Sequence, residues 1–130
     1  MKVVALDYGR ARTGVAVSDP TGTLARPLGV VERVGTEEGL AQLRRLIGEE
    51  SPERVVVGLP LTLHGSHGEQ ARETERFVQM LRDLLEVPVE LYDERFTTDL
   101  AEGGGGDAPE DARAAAHLLS DYLAWTSRQS

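Results

Sequence analysis

Short apolar runs separated by turn residues divide the start of the chain into predicted strands. Residues 3–6 are all apolar and end at Asp7, and residues 13–17 form a second run after the turn at Gly9. Runs of this length are typical of buried strands, although periodicity alone does not exclude a helix. A third run, residues 24–31, contains Pro27, which lacks the backbone donor of a sheet ladder and so indicates an edge strand. We therefore predict three antiparallel strands.

Helical spacing of apolar residues begins after Thr36 and alternates with two further strands. In chain order, the first three predicted elements are a helix capped by Thr36, a buried strand over residues 54–60 and a helix whose start has the capping-box spacing of Ser66 and Glu69. A strand over residues 88–92 and a short helix over residues 96–102 follow. The last helix starts with the capping-box spacing of Asp107 and Glu110, has Pro109 in its first turn and runs to about Trp125. Strands separated by helices pair in parallel through right-handed crossovers. The prediction is an α/β fold with a five-stranded mixed sheet, three antiparallel strands and then two parallel ones, flanked by helices in a single domain over residues 1–130.

Composition and charge restrict the class of protein. The chain has no cysteine, which excludes disulfides and thiolate metal sites and fits a reducing cytoplasm. The net charge is −8, which argues against a generic nucleic-acid binder and leaves a local basic rim as the alternative. No apolar run is long enough to span a bilayer and the N-terminus shows no signal-peptide pattern, so we expect a cytoplasmic protein that does not bind membranes.

Three acidic residues are predicted to converge at one end of the sheet. Asp7 follows the first strand and Glu94 follows the fifth, and open sheets place their ligand sites beyond such strand ends. Asp111 lies four residues before Ala115, on the apolar side of the last helix. Taken singly, Asp7 suits a turn and Asp111 suits the first turn of a helix. Taken together, the three predict a cluster of carboxylates.

A cluster of three carboxylates is costly, because like charges repel and burial strengthens the repulsion. A hard divalent cation between them removes this cost, and Mg²⁺ prefers oxygen ligands together with water and substrate phosphate. Two such ions about 4 Å apart can activate a water molecule and stabilise the leaving oxygen of a phosphodiester. The residues therefore point to phosphoryl chemistry with Mg²⁺ or Mn²⁺ as the cofactor.

Four segments, in order along the chain, resemble the YqgF/RuvX family of bacterial RNase H-like nucleases. They are residues 6–19, LDYGRARTGVAVSD; residues 57–61, VGLPL; residues 93–98, DERFTT; and residues 111–119, DARAAAHLL. The resemblance spans nearly the whole chain and implies an RNase H-like fold with Asp7, Glu94 and Asp111 as catalytic acids and metal ligands. It also implies either resolution of Holliday junctions or maturation of the small-subunit ribosomal RNA precursor.

The resemblance selects one of two candidate acids, and this chain differs from the family at two other places. Strand alternation puts Asp93 and Glu94 on opposite faces without saying which face is catalytic, and the resemblance selects Glu94. The family usually has a longer, often basic loop before the last helix, where this chain has a run of four glycines, residues 103–106. Ala114 stands three residues after Asp111, so the second acid that some related resolvases carry on this helix is not evident.

Polar side chains beside the predicted acids are candidates for substrate contacts. The turn after the first strand contains Arg10 and Arg12, and the fifth strand is followed by Arg95 and Thr98. Arginine binds phosphate through charge-assisted hydrogen bonds, whereas a plain surface role or an ion pair with a nearby acid is the simpler interpretation. For Thr98, a hydrogen bond to the backbone is the alternative to a phosphate contact.

These observations predict a metal-dependent nuclease that hydrolyses phosphodiester bonds in structured nucleic acid, either branched DNA or a ribosomal RNA precursor. A junction-cutting enzyme needs two sites, so a two-fold homodimer is expected by analogy. One alternative is a nucleotide-binding domain of the actin and sugar-kinase type, which has a similar first hairpin but usually needs two such domains. Another is a non-catalytic nucleic-acid-binding module.

Overall fold

The structure, a computed structural model, describes residues 1–59, 68–93 and 109–129. Five strands and three helices are present in these residues. In chain order they are β1 (Val3–Asp7), β2 (Arg12–Ser18), β3 (Ala25–Glu32), α1 (Glu37–Glu50), β4 (Arg54–Leu59), α2 (Glu69–Leu84), β5 (Val89–Asp93) and α3 (Glu110–Gln129). The order agrees with the sequence prediction, and the predicted short helix over residues 96–102 lies outside the described residues.

The five strands form one mixed sheet in the order β3-β2-β1-β4-β5. β1 pairs antiparallel with β2, and β2 pairs antiparallel with β3. β4 pairs parallel with β1, and β5 pairs parallel with β4. The predicted sheet is therefore confirmed, including the edge position of β3, where Pro27 lies beside a register shift between Val15 and Ala16 of β2.

Alternation along the strands divides the core between the two faces of the sheet. Val4 and Leu6 of β1 pack with apolar residues of α1 and α2. Val3 and Ala5, on the other face, pack with α3. Because successive strand residues point to opposite faces, Asp7 belongs to the face that α3 covers. The same face of β5 carries Tyr92, which packs in the α3 cluster.

Small residues let α3 approach the sheet closely. A Cβ atom on Gly14 of β2 would lie 1.9 Å from the backbone oxygen of Asp111 and 2.4 Å from its carbonyl carbon. Real Cβ atoms do not approach backbone atoms this closely, so only glycine fits at position 14. Ala16 of β2 and Ala115 of α3 are also fully buried in this cluster. The first turn of α3 is thereby fixed against the start of β2.

Helix boundaries follow local capping with two corrections. Thr36 caps α1 as predicted, because its hydroxyl accepts from the backbone of Gly39 at 3.1 Å. The predicted capping box at the start of α2 is wrong: the helix begins at Glu69 with Gly68 as its N-cap and no side-chain cap. α3 continues to Gln129 rather than to Trp125, since no glycine or proline follows to end it.

The start of α3 also differs from the sequence prediction. Pro109 precedes α3 instead of lying inside its first turn, and its carbonyl accepts from Arg113 at 2.9 Å. Among the described residues, no helix combines the length and the apolar character needed to cross a membrane.

Candidate active site

Asp7 lies at the carboxyl end of a central strand, as predicted. It is the last residue of β1 and is paired with Gly14 across the β1–β2 ladder. The neighbouring parallel strand β4 runs in the same direction on the other side. Ligand sites of open sheets lie beyond such strand ends. The end of β1 is therefore the natural place for a site.

The first turn of α3 brings Asp111 to the same place. Gly14 is the cross-strand partner of Asp7, and the backbone of Asp111 rests against the position where a Gly14 side chain would be. Asp111 is thus placed by contact between α3 and β2, not by its own side chain. About a third of its side chain, 35%, remains exposed to solvent. Two of the three predicted acids are therefore neighbours.

The electrostatics of Asp7 reflect this arrangement. Burial, and secondly the negative charge of Asp111, raise the pKa of Asp7 from the ordinary 3.8 to about 6. Both causes disfavour the carboxylate form of Asp7, and a cation bound beside it would favour that form again. A raised pKa caused by burial together with a specific charged neighbour is typical of functional sites.

Arg12 pairs with one of these acids. Its Nε lies 3.2 Å from Oδ2 of Asp111, while 63% of the arginine side chain is exposed. The pair provides a positive charge for Asp111 at the edge of the site. Because the pair is largely solvent-exposed, it contributes little to stability and can be broken at low cost. Arg12, predicted as a phosphate ligand, thus lies beside Asp111 at the edge of the site.

Arg10, the other predicted phosphate ligand of this hairpin, forms an ion pair with Glu73 of α2. Its Nη2 lies 2.6 Å from Oε1 of Glu73, and its Nε donates to Oε2 at 3.2 Å. The hydroxyl of Tyr8 donates to the same Oε2 at 2.8 Å, and the Tyr8 ring stacks on Phe77 with centroids 4.5 Å apart. Arg10 and Tyr8 lower the pKa of Glu73 to about 2. This network ties the turn after Asp7 to α2.

The remaining predicted site residues, Glu94, Arg95 and Thr98, lie outside the described residues, as does the glycine run 103–106. Within the described part of the chain, no group of three or more His, Asp or Glu side chains could hold a metal ion. Of the two acids at the end of β5, the structure describes Asp93, and the strand pairing indicates its face. Asp93 pairs with Leu59 of β4, whose side chain belongs to the face opposite α3.

Sequence reasoning missed two residues that shape this site. Glu73 stands on α2, and its contact with Arg10 spans 63 residues of sequence, so local spacing contains no signal for it. Gly14 enters the sequence analysis only as part of the second predicted strand. A glycine inside a β-branched strand does signal a close backbone approach, and that signal was available.

Comparison with known proteins agrees with this description. The sequence profile of the RuvX family, described as Holliday junction resolvase, matches residues 1–125. A protein of Chloroflexus aggregans named "Putative pre-16S rRNA nuclease" is 42% identical over 130 residues, covering 93% of this chain and 92% of that protein. A protein of the same name from Rubrobacter xylanophilus is 45% identical over 130 residues, covering 94% and 91%.

Solved structures support the fold. RuvC from T. thermophilus, in complex with a Holliday junction, aligns with a TM-score of 0.68 at 18% identity, covering 100% of this chain and 96% of that one. The fowlpox virus Holliday junction resolvase aligns with a TM-score of 0.58 at 11% identity, covering 96% and 99%. Such low identities establish the fold alone, which is the predicted RNase H-like one.

The family and the names of its members favour one of the interpretations drawn from the sequence. They support a nuclease, and hence a hydrolase of phosphodiester bonds, over a nucleotide-binding domain or a non-catalytic module. The match extends over nearly the whole chain, including the segments of Asp7 and Asp111. The chain belongs to the RuvX family.

Proposed function

We propose that this protein cleaves the folded precursor of small-subunit ribosomal RNA, with Asp7, Glu94 and Asp111 holding one or two divalent cations. The proposal rests on the closeness of the Asp7 and Asp111 carboxylates at the end of β1, in a chain that belongs to a nuclease family. The ribosomal RNA precursor is favoured over DNA because relatives at 42% and 45% identity are named for it. The structures titled for DNA junctions are far more distant, at 18% and 11% identity.

The residues present fit a hard divalent cation. Asp7 and Asp111 offer only carboxylate oxygens, the ligands that Mg²⁺ and Mn²⁺ prefer. The charge of Asp111 raises the pKa of Asp7, which means that the two carboxylates repel each other, and a cation bound between them would relieve this repulsion. When bound, a divalent cation supplies a Lewis acid for the phosphodiester and for the attacking water.

The sheet supports Glu94 rather than Asp93 as the third acid. Tyr92 faces α3, as Asp7 does, whereas the position of Asp93 faces away from α3. A strand that kept its alternation for one more residue would direct position 94 to the face of Asp7. The strand pattern thus agrees with the family resemblance, and Glu94 is proposed on both grounds.

Arg10, in the turn after β1, and Arg12, at the start of β2, have a proposed role in binding the substrate backbone. Arg12 and Arg10 are each held by an acid, Asp111 and Glu73, at the rim of the site. A guanidinium that is already positioned loses less rotational freedom when it binds a phosphate. Arg95 and Thr98 are proposed as further phosphate contacts from the sequence alone. The cytoplasm, where ribosomal RNA is processed in bacteria, is the proposed location.

A cleavage assay tests the proposal. We expect the protein to cut an RNA containing the 5′ end of the 16S sequence with its upstream extension when Mg²⁺ or Mn²⁺ is added, and to leave it intact in excess chelator. A four-way DNA junction, the second candidate substrate, and an unstructured RNA of equal length serve as comparisons. Cleavage of the junction alone would transfer the proposal to DNA, and no metal-dependent cleavage of either would refute it.

Cutting of a DNA junction would also call for a two-fold homodimer, because two strands must be cut symmetrically. The precursor RNA requires only one cut at its 5′ end. A dimer is therefore proposed only together with the junction substrate. Light scattering of the protein with and without the junction would detect it.

Replacing Arg12 with glutamine should strengthen divalent-cation binding. Arg12 neutralises Asp111 in the metal-free protein, so the cation must displace or share this partner. An exposed ion pair is worth about 0.2–1 kcal/mol, which corresponds to up to about fivefold tighter binding of Mn²⁺ in the variant. Calorimetric titration measures the affinity, and Arg26→Gln on the exposed side of β3 is the control. Equal affinities in parent and variant would contradict competition at Asp111.

A further inference from the structure

A cavity beside the candidate site is lined by residues that, apart from Arg10, have no role in the proposed reaction. It has a volume of about 420 Å³ and is lined by Arg10, Ala11, Arg33, Gly35 and Thr36. Two of these residues belong to the turn between β1 and β2, and three to the connection between β3 and α1. None of the described residues that line it is acidic, although the whole chain has a net charge of −8. The cavity is therefore a local exception in an acidic protein.

The backbone of Arg33 is held in an unusual conformation at the wall of this cavity. Its φ angle is 51°, in the left-handed region that glycine and asparagine occupy more readily than arginine. The N–H of Arg33 donates to the carbonyl of Ala11 at 3.0 Å, and its carbonyl accepts from the backbone and hydroxyl of Thr36 at 3.0 and 2.7 Å. Such strain persists where surrounding contacts over-determine it, and it is common at ligand sites.

The start of α1 reinforces this conformation. A Cβ on Gly39 would lie 2.0 Å from the carbonyl oxygen of Arg33, so the first turn of α1 packs directly on the Arg33 peptide. The origin of the Arg33 side chain is thus fixed by Ala11 in the turn before β2, by Thr36 and by α1. The first turn of α1 contains Glu37 and Glu38, whose negative charges offset the partial positive charge of the helix N-terminus. The positive charge at this place therefore comes from the Arg33 side chain.

Three of the described arginines near this end of the sheet differ in their partners. Arg12 pairs with Asp111, and Arg10 pairs with Glu73. Arg33 is exposed and forms no ion pair or side-chain hydrogen bond with another described residue. A guanidinium without a carboxylate partner, on a fixed backbone, is well suited to bind phosphate oxygens through paired hydrogen bonds.

We propose that Arg33, with the cavity it shares with Arg10, binds a backbone phosphate of the nucleic-acid strand beside the bond to be cut. The inference rests on the proposed nuclease function and adds a contact that lies outside the metal site. The cavity is near enough for this role, because Ala11 comes four positions after Asp7 and the two Cα atoms can therefore be at most about 14 Å apart. A contact of this kind positions the strand without reading its sequence.

Binding measured without cleavage tests the inference. In an Asp7→Asn background, a fluorescent RNA stem-loop with a single-stranded 5′ extension is titrated at several salt concentrations. We expect Arg33→Gln to weaken binding about tenfold at low salt, since a hydrogen bond to a charged group is lost. The slope of log affinity against log salt should fall by about 1, because one fewer phosphate is neutralised.

Two controls isolate the effect from folding and from overall charge. Arg45→Gln removes an equal charge from the exposed side of α1 and should leave both affinity and slope nearly unchanged. Arg33→Gly suits the left-handed backbone while removing the guanidinium, so it should bind as weakly as Arg33→Gln and melt no lower than the parent. If Arg33→Gln and Arg33→Gly bind like Arg45→Gln while the parent binds RNA, the phosphate contact is refuted and the nuclease proposal stands. If the parent binds no RNA or junction DNA, the proposed function itself fails.

Discussion

Replacing Asp7 with asparagine should stabilise the metal-free protein above pH 6 and abolish cleavage. The folded-state pKa of Asp7 is about 6, above the ordinary 3.8, so the favourable protonated form is lost as the pH rises through 6. Asparagine remains neutral at every pH. The variant should therefore have a free energy of unfolding about 1–3 kcal/mol higher than the parent at pH 8, with the difference shrinking towards about pH 4. Urea unfolding at a series of pH values measures it.

Added Mg²⁺ should reverse the order of the two proteins. A cation that binds only the native state stabilises the parent by mass action, whereas the variant lacks one of the carboxylate ligands. Cleavage should fall by several orders of magnitude in the variant. Asp83→Asn, a change at an exposed acid of α2, is the control and should alter neither property. If Asp7→Asn is less stable than the parent at pH 8, burial and Asp111 do not act on Asp7 as described.

Asp111→Asn provides an independent measure of the same coupling. Removing the charge of Asp111 should lower the pKa of Asp7, though only in part, because burial is the larger cause of its shift. The variant also leaves Arg12 without its carboxylate partner, so its gain in stability should be smaller than that of Asp7→Asn. Nuclear magnetic resonance titration of the Asp7 carboxyl carbon reports the shift directly.

Replacing Gly14 with alanine should damage both stability and the site. The added Cβ would meet the backbone of Asp111 at 1.9 Å, and a backbone atom in a packed helix cannot yield without moving α3. We expect a loss of about 3 kcal/mol or more in the free energy of unfolding, at the upper end for an overpacked core. Because α3 must move away, the charge of Asp111 should act less on Asp7, and metal binding should weaken.

A second glycine of the same sheet serves as the matched control. Gly29 lies in β3 opposite Val15, and a Cβ built there has no heavy atom within 4 Å. Gly29→Ala should therefore be neutral or slightly stabilising, since alanine reduces the freedom of the unfolded chain. Equal unfolding free energies for Gly14→Ala and Gly29→Ala would mean that α3 does not rest on Gly14 as described.

Local chemistry was sufficient to predict the architecture. The apolar runs, the edge-strand proline at position 27 and the Thr36 cap all act within a few residues, so the sheet and α1 could be read from the sequence. The start of α2 could not, because a capping spacing is compatible with several starting residues. The family resemblance, carried by ordered motifs rather than by periodicity, was confirmed by the RuvX match over residues 1–125.

The sequence also determined which residue types stand at the strand ends. Asp7 must stand at the end of β1, because the apolar run that forms the strand stops there. Strand alternation then gives its face once the position of α3 is known. Sequence alone could not say which face that helix covers. The side on which Asp7 and Tyr92 lie became the candidate site only through the packing of α3.

Only the tertiary structure decided how the charged groups are partnered. Asp111 meets Asp7 because the missing side chain of Gly14 lets α3 rest on β2, a contact between positions nearly a hundred residues apart. The pairing of Arg10 with Glu73 depends in the same way on where α2 lies beside the first hairpin. Local propensity and periodicity describe neighbours in sequence, whereas ion pairs and pKa shifts depend on distances in space. For this protein the sequence therefore determined the elements and the acids, and packing between distant elements determined the electrostatics of the site.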